Sequence, residues 1–321
     1  MEDHFISFIL SKTKAKSIYK TTVIQELWSG YGEIIRAELI GTQKKAVIVK
    51  YIDLKAANSH PRGWATSVSH ERKIKSYETE INWYQNYNHL LNENTKTPEC
   101  LGILSKNNKH CIVLEDLNES GYINRINPIS HSEIKTTLKW LANFHGFHLK
   151  PSGIGLWKTG TYWHLNTRPD ELKAIKLKEV KNAASYIDSY LNKAKYQTLV
   201  HGDAKLANFC FSNKKVAAVD FQYVGKGCGM KDVAYFLSSC LNENQLPVLE
   251  TKFLDEYFKE LKLAIKDVLN PSEILDLEKE WRTLYTYAWA DFTRFLLGWM
   301  PTHQKLNSYS MSKMNEILKS K

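Results

Sequence analysis

LVHGDAKLANFCF, residues 199–211, places His201, Asp203, Lys205 and Asn208 between Leu199-Val200 on one side and Phe209-Cys210-Phe211 on the other. A polar cluster clamped between apolar segments is half buried, and buried polar groups need partners. Just downstream, NFCF and VAAVDF flank Ser212-Asn213-Lys214-Lys215, which reads as a hairpin turn. Pairing Phe211 with Val216 sets Asn208 against Asp220, to within one residue of register. An amide oxygen and a carboxylate at one end of a hairpin make a hard-oxygen site suited to Mg²⁺. Asp203 stands five residues before Asn208, with Lys205 between them. Metal ligands, a second carboxylate and a cation are together what phosphoryl transfer requires. The metal holds the phosphates, a carboxylate takes the proton of the attacking hydroxyl, and a lysine offsets the transferring charge.

Composition bounds the class of protein around this stretch. The 321 residues are 43% hydrophobic and 24% charged, which fits folded domains with a sizeable core and not disorder. No apolar run approaches the ~18 residues of a membrane span. The N-terminal MEDHFISFILSKTKAK holds only the short run FISFIL and no small-residue cleavage site, so it does not read as a signal peptide. Cys100, Cys111, Cys210, Cys228 and Cys240 form no CxxC pair and no zinc-like spacing. They fit reduced core thiols in a cytoplasmic protein. The net charge of +10 raises an anionic ligand or nucleic acid as partner. The lysines are spread along the chain, however, with no dense basic block and no aromatic-basic RNA motif. A solvated basic surface is the better reading.

Elements follow from periodicity. QELWSGYGEIIRAELI reads as two strands around Ser29-Gly30-Tyr31-Gly32, and KAVIVKYI as a third ending near Lys50. Residues 53–70, with Pro61 and Gly63, read as a loop. A helix follows, with Ile74, Tyr77, Ile81 and Tyr84 on one stripe. KHCIVLEDL reads as a strand, broken by Asn118-Glu119-Ser120-Gly121. Beyond it the chain is mostly helical: EIKTTLKWLANFHGFHL carries Ile134, Leu138, Leu141 and His145 on one stripe, and residues 171–194 read as another helix. Asn270-Pro271-Ser272-Glu273 is a helix start with a capping Asn, proline in the first position and Glu in the third. The expectation is an α+β chain in two parts, 1–118 strand-rich and 119–321 mostly helical.

HGDAKLAN followed by VDF resembles the catalytic and metal loops of the aminoglycoside phosphotransferase and choline kinase-like families, nearest the ecdysteroid kinase-like branch. The resemblance implies a protein-kinase-like two-lobe fold, with 1–118 as nucleotide-binding lobe and 119–321 as catalytic and substrate-binding lobe. The pattern H-R-D-x-K-x-x-N then D-F-G maps onto His201, Gly202, Asp203, Lys205, Asn208, then Asp220, Phe221 and Gln222. Gln222 in place of glycine, and the short segment from Asp220 to Asp232, argue against a regulated protein kinase. The resemblance further implies that Lys50 ends the third strand and pairs with a helix carboxylate. Glu80 borders the apolar face of its helix, whereas Glu78 points elsewhere. It also implies that backbone groups near Glu115–Leu117 meet adenine, that the Gly30/Gly32 turn lies by the phosphates, and that Asp232 braces the catalytic loop. LANFHGF resembles the L-A-x-F-H helix of these kinases. His201 reads as a scaffold residue rather than a base, and His145 as a satisfied core histidine.

The C-terminal WRTLYTYAWADFTRFLLGWM reads first as helix packing, but substrate sites in this fold are commonly built from such helices. Asp291 is available to neutralise Arg294 or to contact a cationic or hydroxylated substrate, with Trp289 beside it. HPRGW (60–64) reads either as a phosphate- or substrate-facing loop or as plain surface. The expected function is ATP- and Mg²⁺-dependent phosphorylation of a hydroxyl on a small metabolite. A non-catalytic kinase-like nucleotide-binding protein and, further off, a nucleic-acid-binding protein are the alternatives. The acceptor stays open among aminoglycoside, choline and sterol-like alcohols.

Overall fold

The computed structural model describes residues 1–27, 30–55 and 67–321; Ser29 and the HPRGW stretch lie outside the described residues. Helix α1 (Asp3–Thr13) leads into β1 (Ser17–Glu26), β2 (Gly32–Ile40) and β3 (Ala46–Asp53), then α2 (Ser67–Asn86), β4 (Cys100–Lys106) and β5 (Lys109–Glu115). These strands form one antiparallel sheet in the order β1-β2-β3-β5-β4.

Strand alternation decides what each face carries. In β3, Val47 and Val49 join Phe5 and Ile9 of α1 in a core with Ile35, Cys111 and Val113. On the opposite face Ile52 packs with Ile112, Leu114 and the α2 residues Tyr77, Trp83 and Tyr84. Lys50 shares the parity of Ile52, so the pleat alone delivers its side chain to α2.

The second half is helical. Its elements are α3 (His131–Phe147), α4 (Pro169–Ala174), α5 (Lys178–Asn192), α6 (Met230–Cys240), α7 (Leu246–Ile265), α8 (Pro271–Trp299) and α9 (Ser308–Ser320). Two small antiparallel pairs interrupt it: β6 (Thr198–Val200) with β9 (Gly225–Gly227), and β7 (Phe209–Ser212) with β8 (Lys215–Ala218). The expected stripe on α3 is buried. The expected start of α8 is a capping box, in which Asn270 Oδ1 accepts from Glu273 N and Glu273 Oε2 accepts from Asn270 N, both at 3.0 Å.

Three elements differ from the sequence reading. FISFIL is the body of α1, a helix of three turns whose Phe5 and Ile9 close one face of the sheet. The strand β4 pairs with β5 across Asn107-Asn108, both at positive φ (53° and 62°), as a two-residue hairpin loop demands. Residues 171–194 form two helices, because Ile175 turns to extended backbone (φ −63°, ψ 123°) and buries its side chain in the core. The tight seat of α4 on α8 fixes its direction: a Cβ at Gly298 would lie 1.9 Å from the Glu171 carbonyl oxygen. Among the described residues no helix is long and apolar enough to cross a membrane.

Candidate active site

The β7–β8 hairpin carries the centre of the site. Its register pairs Phe211 with Val216, and Val219 N donates to Asn208 O at 3.0 Å, so Asp220 stands one residue beyond the position facing Asn208. Asp220 has φ +69°, a left-handed conformation rare for a non-glycine residue and of the kind found where a side chain is aimed at a ligand. Asn208 Nδ2 donates to the Asp203 carbonyl (2.8 Å) and carboxylate (3.0 Å), which leaves Oδ1 as its free donor atom for a cation. Lys205 Nζ lies 3.1 Å from Asp203 Oδ2.

The two carboxylates are driven apart. Burial pushes both upward, but the ammonium groups of Lys50, Lys205 and Lys73 outweigh it at Asp220 and bring that carboxyl down to about 2. At Asp203 burial prevails over Lys205, and the group stands above the ordinary aspartate value. One carboxylate is therefore held as a permanent anion while the other accepts a proton more readily. Asp220 and the Asn208 amide oxygen suit a hard cation such as Mg²⁺. No cluster of three or more His, Cys, Asp or Glu side chains able to hold a metal occurs among the described residues. A cation here would thus draw on phosphate and water oxygens for the rest of its shell.

Beneath the loop, Asp232 acts as a buried clamp. Its Oδ2 accepts from His201 N (2.6 Å) and His145 Nε2 (3.1 Å), and its Oδ1 accepts from Gly202 N (2.9 Å). His145 Nδ1 in turn accepts from the Tyr257 hydroxyl at 2.8 Å. His201 donates through Nε2 to Val219 O and accepts at Nδ1 from Asp203 N, so both ring nitrogens are engaged in holding loop to hairpin. Gly202 is obligatory: its φ is +81°, and a Cβ would sit 2.0 Å from Tyr223 O.

The sheet contributes Lys50, whose Nζ lies 2.6 Å from Glu80 Oε2 and 3.3 Å from Asp220 Oδ1, with both Lys50 and Glu80 almost fully buried. Burial opposes the Lys50 charge, but these two carboxylates hold its pKa above the usual value. Glu78 faces outward near Lys75. Lys73, two turns before Glu80 on the same helix face, is absent from the sequence reading. Its Nζ donates to Gln222 Oε1 (2.8 Å), and Gln222 Nε2 donates to Asp220 Oδ1 (2.8 Å). The i, i+7 spacing to Glu80 is the signal that locates it.

The remaining expected positions are more dispersed. Gly30 (φ 75°) and Gly32 (φ 131°) flank the buried Tyr31 in the β1–β2 turn. A Cβ at Gly32 would meet Tyr51 O at 2.1 Å, so its smallness serves the contact of β2 with β3. The Glu115 carboxylate is committed to Lys96 Nζ (2.8 Å) and Glu99 N (2.9 Å), while Leu117 is buried and its carbonyl accepts from Tyr122 N. Any part they take in ligand contact falls to the backbone. Asp291 and Trp289 are engaged in packing within the helical half. Asp291 is fully buried and accepts from Arg294 Nε (3.0 Å), Arg294 Nη2 (2.8 Å) and Trp163 Nε1 (3.0 Å). Trp289 packs edge-on against Tyr309 at 5.0 Å. Of the two roles open to Asp291 in the sequence, neutralising Arg294 is the one the geometry displays. Aromatic residues also reach the loop: Tyr162 N donates to Gly202 O at 3.1 Å, one residue before Asp203, and its ring packs on Tyr235 at 5.6 Å.

A five-stranded antiparallel sheet, a buried Lys–Glu pair linking it to one helix, and a loop-and-hairpin seated on a helical half make a kinase-like fold. Among solved structures the chain is similar to a choline kinase from Cryptosporidium parvum Iowa II (TM-score 0.54, 11% identity, 99% of this chain and 95% of that one). It is also similar to an ethanolamine kinase of Plasmodium vivax (TM-score 0.53, 14% identity, 94% and 84%). A third is an amicoumacin kinase in complex with AMP-PNP, Ca²⁺ and its ligand (TM-score 0.52, 10% identity, 98% and 92%). The protein belongs to the ecdysteroid kinase-like family, whose family model matches residues 34–151 and 159–269. Comparison with curated proteins gives no match.

The clamp yields a stability test. Replacing Asp232 by Asn turns an amide N–H toward a backbone donor in a sealed pocket, and the expected loss is about 3 kcal/mol. Urea unfolding of Asp232→Asn checks it; a midpoint equal to that of the wild type refutes the clamp.

Proposed function

We propose that the protein transfers the γ-phosphoryl group of ATP to a hydroxyl of a small molecule in the presence of Mg²⁺. The observation that carries this reading is the placement of Asp220 against Lys50 and, through Gln222, Lys73, beside an Asp203 that is held by Lys205 and Asn208. Residues 1–118 are taken as the nucleotide lobe and 119–321 as the catalytic lobe. Adenine is assigned to the backbone at Glu115–Leu117, and the phosphates to Lys50 and the Gly30/Gly32 turn. Asn208 Oδ1 and the Asp220 carboxylate would hold Mg²⁺, which would supply charge neutralisation at the phosphates.

In this mechanism Asp203 orients the acceptor hydroxyl and takes its proton as the acceptor oxygen bonds to the γ-phosphorus. The bond from that phosphorus to the β,γ-bridging oxygen breaks, and ADP departs with the electron pair. Lys205 offsets charge on the transferring group. His201 has neither nitrogen available for the base role. The structural neighbours, a choline kinase, an ethanolamine kinase and an amicoumacin kinase, are consistent with a small acceptor. The AMP-PNP and Ca²⁺ held by the last are consistent with a nucleotide and a divalent cation. The free thiols of all five cysteines accord with a reducing, cytoplasmic setting.

Asp203→Ala is expected to lower transfer by about 10²–10⁴-fold while MgATP affinity, read by calorimetry, stays near wild type; full turnover in this variant removes Asp203 from the mechanism. Asp220→Ala acts earlier, weakening MgATP binding itself, and unchanged nucleotide affinity would count against its assignment to the metal. Acid pH supplies a third check. Because Asp203 must be ionised to accept the proton and its pKa is raised, kcat is expected to fall on acidification through a pH above the ordinary aspartate value. A profile that stays flat down to that ordinary value sinks the base assignment.

A further inference from the structure

Beside Asp203 lies an aromatic cluster formed by Trp163, Tyr235, Phe292 and Phe295, with Tyr162 packed against it. Tyr235 touches Phe292, Trp163 and Tyr162 at ring separations of 5.0, 5.1 and 5.6 Å, and Tyr162 N donates to the carbonyl of Gly202, next to Asp203, at 3.1 Å. Aromatic faces close to a carboxylate would ordinarily suit an alkylammonium group. Here the protein's own cations take those faces.

Lys305, on the loop between α8 and α9, extends its ammonium over Tyr235 (4.7 Å to the ring centroid) and Phe292 (5.6 Å). Its Nζ also lies 3.1 Å from Ser238 Oγ, whose own proton goes to Tyr235 O at 2.7 Å. The loop end is fixed as well: Lys305 N donates to His303 Nδ1 at 3.0 Å, and Leu306 packs on the same cluster. On another side the Arg168 guanidinium lies over Phe295 (5.1 Å) and Tyr162 (5.9 Å), anchored to Glu171 Oε1 and Tyr162 O. The nearby carboxylate is itself paired with Lys205. A solvated surface lysine would not be tied at both ends in this way.

We propose that Lys305 is a specificity-determining residue of the acceptor site: its ammonium fills the aromatic seat beside Asp203 and so bars alkylammonium alcohols, leaving the site to hydroxyl compounds that are uncharged or anionic where they meet Lys305. This rests on the reading of Asp203 as the residue that receives the acceptor hydroxyl. An entering ammonium would have to displace Lys305 from two ring faces and from Ser238, or else lie against a like charge. A hydroxyl, carbonyl or carboxylate would gain a donor from the same group. The choline kinase and the ethanolamine kinase among the structural neighbours thus share this fold but not this acceptor chemistry.

The test is binding without turnover. Choline and tetramethylammonium are titrated by calorimetry into the full-length wild type, Lys305→Met, Lys305→Gln and the charge-preserving Lys305→Arg, each checked for ADP binding and thermal unfolding. The wild type and Lys305→Arg are expected to give no saturable binding at millimolar ligand, whereas the Met and Gln variants bind at least about tenfold more tightly. Choline binding by the wild type as tight as by Lys305→Met overturns the proposal. So does the absence of any gain in a Met or Gln variant that retains ADP binding. A wild type that fails to bind MgATP would instead refute the kinase reading, and the choline titrations would still report on Lys305.

Discussion

The buried contact among Lys50, Glu80 and Asp220 ties the two halves of this protein together. Three elements distant in sequence, β3, α2 and the end of the β7–β8 hairpin, each supply one charge. Lys50 and Glu80 are almost fully buried, and neither charge is tolerable alone there, because an ion removed from water without a partner costs several kcal/mol. Asp220 completes the set from the partly exposed side. The position of each element is thereby conditioned on the other two. Gln222 and Lys73 extend the same logic by one residue, since the amide that binds Asp220 is itself held from α2.

Around that contact the site is built in tiers. Asp232 and His145 fix the loop from below, and His201 fixes the loop to the hairpin. The carboxylates of Asp203 and Asp220 sit above, with opposite pKa displacements that follow from how many lysines surround each one. Rigid groups at the base and charged groups at the mouth are the arrangement a positioning-dominated reaction needs.

Legibility in the sequence tracked how local each determinant is. Asp203, Asn208 and Asp220 fall within one loop and one hairpin, so spacing and register sufficed to bring them together. Lys50 was legible through the family resemblance of its strand, and helix phase then chose Glu80 over Glu78 as its partner. Helix α1 was not, since FISFIL taken alone shows a short apolar run and not the sheet face that Phe5 and Ile9 cover. The break at Ile175 reflects packing of α4 on α8, more than a hundred residues away in the chain, to which helical periodicity is blind. Asp291 illustrates the same limit from the other side. Its neighbour Arg294 was visible at one-turn spacing, but the Trp163 indole that closes its pocket was not. Lys73 and Lys305 acquire their significance only from partners elsewhere in the fold.

Phe221, between Asp220 and Gln222, is completely buried, stacked on Trp83 at 4.5 Å and 9° and in contact with Tyr84, Phe144 and His201. To swing Asp220 away, the chain would have to pull this ring out of a core shared by α2, α3 and the loop that carries His201. The carboxylate is thus a fixed post and not a hinged gate. Whatever Asp220 meets must therefore come to it in the position it already holds.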